Sequence, residues 1–350
     1  MAFMAETDTP DPADALDRKL QWVKSGDGPY IITYSCGEGE TGTRPENYEY
    51  IVTDPQTGRQ TLENEERVAH YRPLTSGECK KLADVLRNYE QAVDVKFKDV
   101  SFKDPVKDLD AFKSNVVVPD AYKYQPMLSF TADDFGFKDG KEFSKAGTFT
   151  AGLTAISKND IAAGVLTHAD IKLSPRNGIA NPAAHETGHG LALDHPHRDE
   201  DAQLYDKPDP KYSYENTAMS YCGQLFCRNP SGPMVYDIRV LQGKYGAPQR
   251  TGEYKADLGE GEGIKTLWGN KDTPITLDAS KYNGNRSASF NLNSGASSVT
   301  YVGGGATYTT DNAVVAKAIG APNVENNFDG NKHGGSRHNI EDGGSVTIYS

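Results

Sequence analysis

Four of the chain's eight histidines lie within residues 181–197, which read NPAAHETGHGLALDHPH. His185 and His189 are four residues apart, so on a helix their imidazoles lie on one face, close enough to share a cation. Glu186 would lie about 100° further round the helix, near the water of a bound metal but not on the metal itself. This spacing is typical of a zinc site with an adjacent carboxylate base.

The third histidine of the stretch can join the pair only if the helix ends before it. His195 follows His189 by six residues, and a continuing helix would rotate it about 240° away. Gly190, Ala192 and Pro196 lie where the chain would have to reverse. The sequence therefore predicts a short reversal between the second and third histidines.

Three neutral imidazoles leave one or two positions on zinc for water, which is typical of a catalytic rather than a structural site. Zinc lowers the pKa of that water to roughly 7, and Glu186 can take its proton as the water attacks a carbonyl. The protonated glutamate can then deliver the proton to a leaving amine. We therefore predict metal-assisted hydrolysis, with His185, His189 and His195 as the ligands.

The elements that must position these residues follow from periodicity and from helix-capping signals. A helix is predicted over residues 75–93, and a second helix begins at the cap Asn181 with Pro182 in its first turn. Residues 37–74 are predicted as mainly a loop. Strands are predicted at residues 29–36, 93–102, 115–119, 126–132, 147–156 and 165–174.

Composition divides the chain into three parts, and its 350 residues with 36% hydrophobic content favour more than one domain. Residues 1–27 are polar and weakly patterned, which predicts a leader or pro-segment with at most one short helix. Residues 28–250 contain the predicted strands and helices of a mixed α/β domain. Residues 251–350 are rich in Gly, Asn, Ser and Thr and predict an all-β domain.

Charge and hydropathy exclude several kinds of partner. Lys and Arg total 37 against 49 Asp and Glu, a formal charge of −12, so no basic surface is expected for nucleic acid or anionic membranes. No window approaches the ~18 apolar residues of a membrane span. The first residues lack the basic and apolar regions of a cleaved secretion signal. Four cysteines permit two disulfides without requiring them.

The segment HETGHGLALDHP resembles the zinc signature of the metzincin metalloproteases, and it is most similar to the serralysin group, in which proline also follows the third histidine. Residues 216–222, NTAMSYC, resemble the serralysin Met-turn. The resemblance implies a hydrophobic floor at Met219 beneath the zinc ligands. It also implies that Tyr221 binds zinc at rest and stabilises the tetrahedral intermediate, which makes it a catalytic residue as well as a ligand.

The fold that the resemblance implies is a metzincin catalytic domain, with a twisted mixed sheet and a long zinc-binding helix, followed by a shortened β-rich C-terminal domain. The family's glycine is Ala192 here, at a position of positive φ that costs alanine about 1 kcal/mol. The repeated glycine-rich nonapeptides of the family's calcium roll are missing. We therefore expect a short β-sandwich or roll with few Ca²⁺ sites. The candidate calcium ligands are Asp311, Glu325, Asp329 and Asp342.

The activity that the resemblance implies is that of a secreted, monomeric zinc endopeptidase exported without a cleaved N-terminal signal. Its substrate would lie extended along an edge strand, for which residues 167–174 (THADIKLS) are the candidate. Cys222 and Cys227, which follow the Met-turn, are expected to form a disulfide. A second disulfide is expected between Cys36 and Cys79.

Two alternatives remain open from the sequence. One is a catalytically silent binding protein that keeps the metzincin fold, and the other is a zinc hydrolase of non-peptide substrates. Cleavage of a peptide library with and without a zinc chelator distinguishes the endopeptidase from the binding protein.

Overall fold

The structure is a computed structural model that describes residues 12–37, 40–53, 60–104, 107–135, 152–175, 178–196, 213–220, 229–259, 263–293, 299–329, 339–341 and 346–349. These residues form a mixed α/β fold with several sheets and few helices. Within these ranges, the search for a helix long and apolar enough to cross a bilayer finds none.

The helices and strands of the first 250 residues surround the histidine segment. In chain order they are α1 (Pro12–Ala15), β1 (Tyr30–Cys36), β2 (Gly42–Thr53), β3 (Gln60–Pro73), α2 (Ser76–Ala92), β4 (Val95–Asp99), β5 (Leu128–Asp133), β6 (Gly152–Ile156), α3 (Lys158–Ala163), β7 (Ala169–Leu173), α4 (Ala180–Gly190) and α5 (Val235–Tyr245). Two 3-10 turns lie at Leu109–Phe112 and Asp120–Tyr122.

One mixed sheet supports the histidine-bearing helix α4. Its central strand β5 pairs in parallel with β1 on one side and with β7 on the other, and β4 pairs in parallel with β1. β6 pairs antiparallel with β7 along its whole length. The prediction that residues 167–174 form an edge strand is therefore wrong, because β7 is bonded on both sides. Among the described residues, β6 is the edge strand on this side of the sheet.

Two other sequence predictions for this sheet are wrong. Residues predicted as a loop form the long hairpin β2–β3, whose register runs from Gly42↔Tyr71 to Thr53↔Gln60. The three valines of residues 115–119 do not form a strand, since Val116 makes only an isolated bridge with Lys24. The predicted strands β1, β4, β5, β6 and β7 are present, with bounds that differ from the expected ones by at most five residues.

Helix α2 forms where its local sequence predicts it. Thr75 caps the helix and forms a capping box with Glu78, which satisfies two of the unpaired N–H groups of the first turn. The apolar residues of its inner face are all buried, namely Leu82, Val85, Leu86 and Tyr89. A disulfide between Cys36 and Cys79 joins the end of β1 to this helix, as predicted.

The described part of the N-terminal segment packs into the main hydrophobic core. Leu16, Leu20 and Trp22 are at most 2% exposed and belong to the same cluster as the sheet and helices α2 and α4. The Trp22 indole Nε1–H donates a hydrogen bond to the carbonyl of Gly190, at 2.9 Å. Residues 12–27 therefore contact the C-terminal end of the histidine helix directly.

From residue 254 onward the described chain contains only strands and turns, as predicted. The strands are β8 (Tyr254–Asp257), β9 (Ile264–Leu267), β10 (Ile275–Asp278), β11 (Ala288–Asn291), β12 (Val299–Val302), β13 (Gly305–Thr309), β14 (Val315–Ile319), β15 (Asn326–Asp329), β16 (Asn339–Glu341) and β17 (Val346–Tyr349).

These ten strands form two sheets, and apart from the β11–β12–β13 meander the chain alternates between them. Because the chain alternates between the two sheets, most neighbouring strands are parallel. The four-stranded sheet of β8, β10, β14 and β16 shows this pairing. Phe290 and Phe328 lie opposite each other in register and stack with ring centroids 4.7 Å apart. This part is therefore a roll with an apolar core of its own, in which Val302 and Val315 are buried.

We predict that the Arg72–Glu78 pair makes stability dependent on acid pH. Both guanidinium nitrogens donate to the carboxylate at 2.8 Å, and this interaction lowers the pKa of Glu78 from 4.5 to about 2. Its stabilisation is present above pH 4.5 and is lost as the pH falls toward 2. Because Arg72 is partly exposed, Glu78→Gln should lower the free energy of unfolding by only about 1 to 2 kcal/mol at pH 7.

Urea unfolding of both proteins between pH 7 and pH 2 measures this effect, and the difference between them should shrink toward the acid end. Glu40→Gln is the matched control, because Glu40 is exposed. A Glu78→Gln difference that is the same at every pH would contradict the assignment.

Candidate metal centre

Helix α4 carries the first two histidines and is packed closely on both sides. It begins at Ala180, so Asn181 lies inside the helix. The prediction that Asn181 caps the helix is therefore wrong. Gly188 lies against Met219, since a Cβ built at Gly188 would be 2.4 Å from the Met219 sulfur. At Gly190, a Cβ would come within 3.1 Å of a Leu128 methyl carbon. Both glycines therefore allow the helix to approach its neighbours more closely than residues with a Cβ would.

The helix ends in a Schellman motif that turns the chain back toward the histidines. The amide of Leu193 donates to the carbonyl of Gly188 and the amide of Ala192 to that of His189, both at 2.9 Å. Ala192 has a φ of 66°, so the prediction of a left-handed conformation at this position is confirmed. The reversal that the sequence required before His195 is therefore made by a residue that normally avoids this conformation.

The three predicted ligands converge. The Nε2 atom of His195 lies 3.1 Å from Nε2 of His185 and 3.1 Å from Nε2 of His189. Within the described residues, these three histidines are the group of His, Cys, Asp or Glu side chains that could hold a metal ion. Asp311, Glu325 and Asp329, expected as possible calcium ligands, belong to no such group in the part of the chain that the structure describes.

The other ring nitrogens show that the donor set suits a cation. His185 Nδ1 lies 2.9 Å from the carbonyl of Ala218, and His189 Nδ1 lies 2.9 Å from that of Leu193. A carbonyl only accepts, so each Nδ1 carries a proton, and in its neutral form each ring directs the lone pair of Nε2 toward His195. Burial also lowers the pKa of His189 well below its ordinary value, which favours the neutral ring. The three Nε2 atoms thus lie close enough together to bind one ion, so the donor set fits a metal.

Glu186 is 4% exposed and lies against the edge strand β6. The Thr154 hydroxyl lies 2.7 Å from carboxylate Oε2 of Glu186 and 3.1 Å from the backbone carbonyl of the same residue. A Cβ at Gly152 would be 2.5 Å from Oε1, so the carboxylate also contacts the strand's backbone. Burial raises the pKa of Glu186 to about 7, and the hydrogen bond from Thr154 opposes that rise.

Residues 213–220 form a turn beneath the histidines and are held by a buried carboxylate. Asp237 on α5 accepts hydrogen bonds from the Thr217 hydroxyl at 2.6 Å, the Ala218 amide at 2.7 Å and the Met234 amide at 2.9 Å. The carbonyl of Ala218 in turn accepts from His185. Met219 is fully buried in this turn and lies against Gly188 of α4, and its role as a Met-turn stays a prediction. Asp237 and His185 are therefore both hydrogen-bonded to the main chain of Ala218.

Three aromatic residues that the sequence did not single out bind the main chain of α4 and its end. Tyr89 donates to the carbonyl of Ala184 at 2.6 Å, and Tyr245 donates to that of Leu191 at 3.0 Å. The indole of Trp22 binds Gly190, as described above. All three side chains are at least 97% buried. A polar group on a large ring inside a core must find a partner, but the sequence does not show which carbonyl it finds.

Several predicted site residues lie outside the described residues. They are Tyr221, the pair Cys222 and Cys227, and the calcium candidate Asp342. The roles proposed for them stay predictions.

A scan against protein-family models finds no match to this chain, and a search of curated proteins finds no similar sequence. The chemistry of the site therefore has to be argued from the residues and their geometry.

We predict that Asp237 supports both folding and metal binding. Asp237→Ala leaves two backbone amides and a hydroxyl without their acceptor in a buried site, which should lower the free energy of unfolding by about 2 to 5 kcal/mol. The loosened Ala218 carbonyl should also weaken Zn²⁺ binding, by about 10- to 100-fold. Urea unfolding and zinc competition with a chromophoric chelator measure the two effects.

Asp237→Asn is the matched control, because its amide oxygen can accept from both backbone amides. Burial raises the pKa of Asp237 from 3.8 to about 6, so the wild type should lose stability as the pH rises from 4 to 6 and the Asn variant should lose less. Equal zinc affinity in wild type and Asp237→Ala would contradict the role in orienting His185.

Proposed function

We propose that this protein is a zinc-dependent endopeptidase of the serralysin-like metzincin type. The observation that carries the proposal is the convergence of His185, His189 and His195 Nε2 atoms, with the buried carboxylate of Glu186 on the same helix. A ligand cluster alone would suit a structural metal. The adjacent carboxylate favours hydrolysis.

Zinc is the metal that the donor set favours. The cluster offers three imidazole nitrogens, and catalytic zinc sites commonly use three protein ligands of this kind. Bound there, zinc would supply an activated water and would polarise the carbonyl of the substrate. The two ordered Nδ1–H···O=C hydrogen bonds fix the tautomers and ring orientations that such a site needs.

Glu186 is the residue that we propose to move the proton. It follows a ligand directly in sequence, and it is held against the strand rather than in the ligand cluster. A carboxylate in that place can take a proton from the attacking water and return it to the leaving nitrogen. Its burial excludes bulk water, which would otherwise compete for the proton.

The free side of β6 is the surface that we propose for the substrate backbone. Within the described ranges β6 bonds only to β7, so its other side has backbone groups available for pairing. An extended peptide could add there as a further strand, with its scissile bond close to Glu186. We therefore propose β6 (Gly152–Ile156), and not residues 167–174, as the strand that pairs with the substrate.

We propose in addition that the protein is secreted. The disulfide between Cys36 and Cys79 supports it, since disulfides persist in oxidising compartments and are rare in the cytosol. The resemblance of the zinc and Met-turn segments to the serralysin group supports the same location.

We predict that Glu186→Gln keeps the metal and loses the activity. The amide cannot accept the proton, whereas the three ligands are unchanged, so kcat/KM for peptide cleavage should fall by about three orders of magnitude or more. Zinc content should stay near one ion per chain. Peptide-library cleavage read by mass spectrometry, together with elemental analysis of the same samples, measures both quantities.

The chelator-treated wild type and its zinc-restored sample are the controls, and activity should be lost and then regained. Zinc-loaded wild type that cleaves no peptide would contradict the proposal and favour a binding protein of the same fold. Full activity in Glu186→Gln would show that another group carries the proton.

A further inference from the structure

The edge strand β6 presents one face to the helix that carries Glu186. Side chains alternate along a strand, so Gly152, Thr154 and Ile156 share a face. These three residues are partly buried, whereas Leu153 and Ala155 between them are exposed. The face of β6 that meets α4 is therefore made of a glycine, a hydroxyl residue and an isoleucine.

Thr154 makes two contacts with Glu186. Its hydroxyl lies 2.7 Å from carboxylate Oε2 and 3.1 Å from the backbone carbonyl of the same residue. Threonine is β-branched and has few χ1 rotamers, so its hydroxyl is held in place by the strand. The one hydroxyl hydrogen serves two acceptors of Glu186, and the shorter contact is the one to carboxylate Oε2.

Gly152 lies close to the other oxygen of the same carboxylate, Oε1. A Cβ at this position would lie 2.5 Å from both Cγ and Oε1 of Glu186, closer than real Cβ atoms approach other atoms. The carboxylate therefore lies against bare backbone at Gly152 and against a hydroxyl at Thr154. These two contacts restrict the side-chain rotamers of Glu186.

We infer that Thr154 is a positioning residue for Glu186, and that Gly152 and Thr154 together form a cradle that holds the carboxylate at its place of action. The inference rests on the proposed endopeptidase function and adds a link between substrate binding and chemistry. The strand whose free side would pair with a peptide is also the strand that holds the base. A peptide bound along β6 would therefore also restrict the motion of Gly152 and Thr154.

The variants Thr154→Val and Thr154→Ser separate the hydroxyl from the shape of the side chain. Valine keeps the branched shape and removes the donor, so kcat should fall by about 10- to 100-fold with KM changed by less than about threefold. Serine restores the hydroxyl and should keep kcat within about threefold of wild type. Gly152→Ala, which adds the clashing Cβ, should also lower kcat.

Thr300→Val is the matched control for loss of a buried hydroxyl. Thr300 lies on β12 and its hydroxyl accepts a hydrogen bond from the amide of Asn291, at 3.0 Å. Its strand belongs to the six-stranded C-terminal sheet and not to the sheet that contains β6. Its kcat and KM should equal those of wild type.

A second readout does not depend on activity. In the full chain at equal zinc content, Thr154→Val should lower the urea midpoint of unfolding, because a buried carboxylate loses its donor. The same substitution in a Glu186→Ala background should lower the midpoint less. Such non-additivity reports a direct interaction between the two side chains.

The outcomes separate the two proposals. If wild type cleaves peptides and Thr154→Val keeps its kcat, or if Thr154→Ser is as slow as Thr154→Val, the positioning role is refuted and the endopeptidase stands. If the midpoint shifts are additive, the contact itself is refuted. If zinc-loaded wild type cleaves nothing, the proposed function fails, and the positioning role fails with it.

Discussion

The reversal of the chain at Ala192 is the constraint on which the candidate metal centre depends. Two ligands four residues apart need only a helix, but the third needs that helix to stop and turn within six residues. The Schellman hydrogen bonds at Gly188 and His189 make that turn, and a left-handed alanine completes it. Alanine costs about 1 kcal/mol there relative to an ordinary conformation, so packing around the turn must hold it.

That packing comes from parts of the chain that are distant in sequence. Trp22, Tyr89 and Tyr245 each donate to a carbonyl of α4 or of the turn after it, and each is buried. The carbonyls of Gly190 and Leu191 lie at the helix C-terminus and have no partner within the helix, so Trp22 and Tyr245 replace water that the core excludes. Ala184 lies in the middle of the helix, and Tyr89 adds a further hydrogen bond to its carbonyl. Thr154 makes a similar contact with Glu186, and Asp237 is linked to His185 through Ala218. The eleven residues of α4 are thus surrounded by four distant parts of the chain. These are the described N-terminal segment, helix α2, the edge strand β6 and helix α5.

The sequence predicts best where the determining interactions are local. The capping box at Thr75 and the apolar spacing of α2 lie within a few residues of each other, and that helix was predicted within one residue. The spacing of His185, His189 and His195 predicted the cluster for the same reason. The hairpin β2–β3 was missed because its pairing joins residues up to 29 positions apart, from Gly42 to Tyr71.

The identity of the edge strand could not be predicted, because it depends on the order of the strands in the folded sheet. The segment before the histidine helix α4 has the alternating pattern of an edge strand, yet β6 pairs along its outer side. The roles of Thr154 and Trp22 are non-local in the same sense. Threonine and tryptophan are ordinary strand and core residues until the fold brings them to Glu186 and Gly190.

The most direct test of this account is X-ray absorption spectroscopy at the zinc edge on the purified, zinc-loaded protein. Three histidines turned toward one point by the Ala192 reversal should give three imidazole nitrogens at about 2.0 to 2.1 Å, with the multiple-scattering pattern of the rings. The His195→Ala variant should lose one imidazole from that shell. A first shell containing sulfur, or one imidazole among water oxygens, would contradict the account, since the metal would then lie outside the cluster.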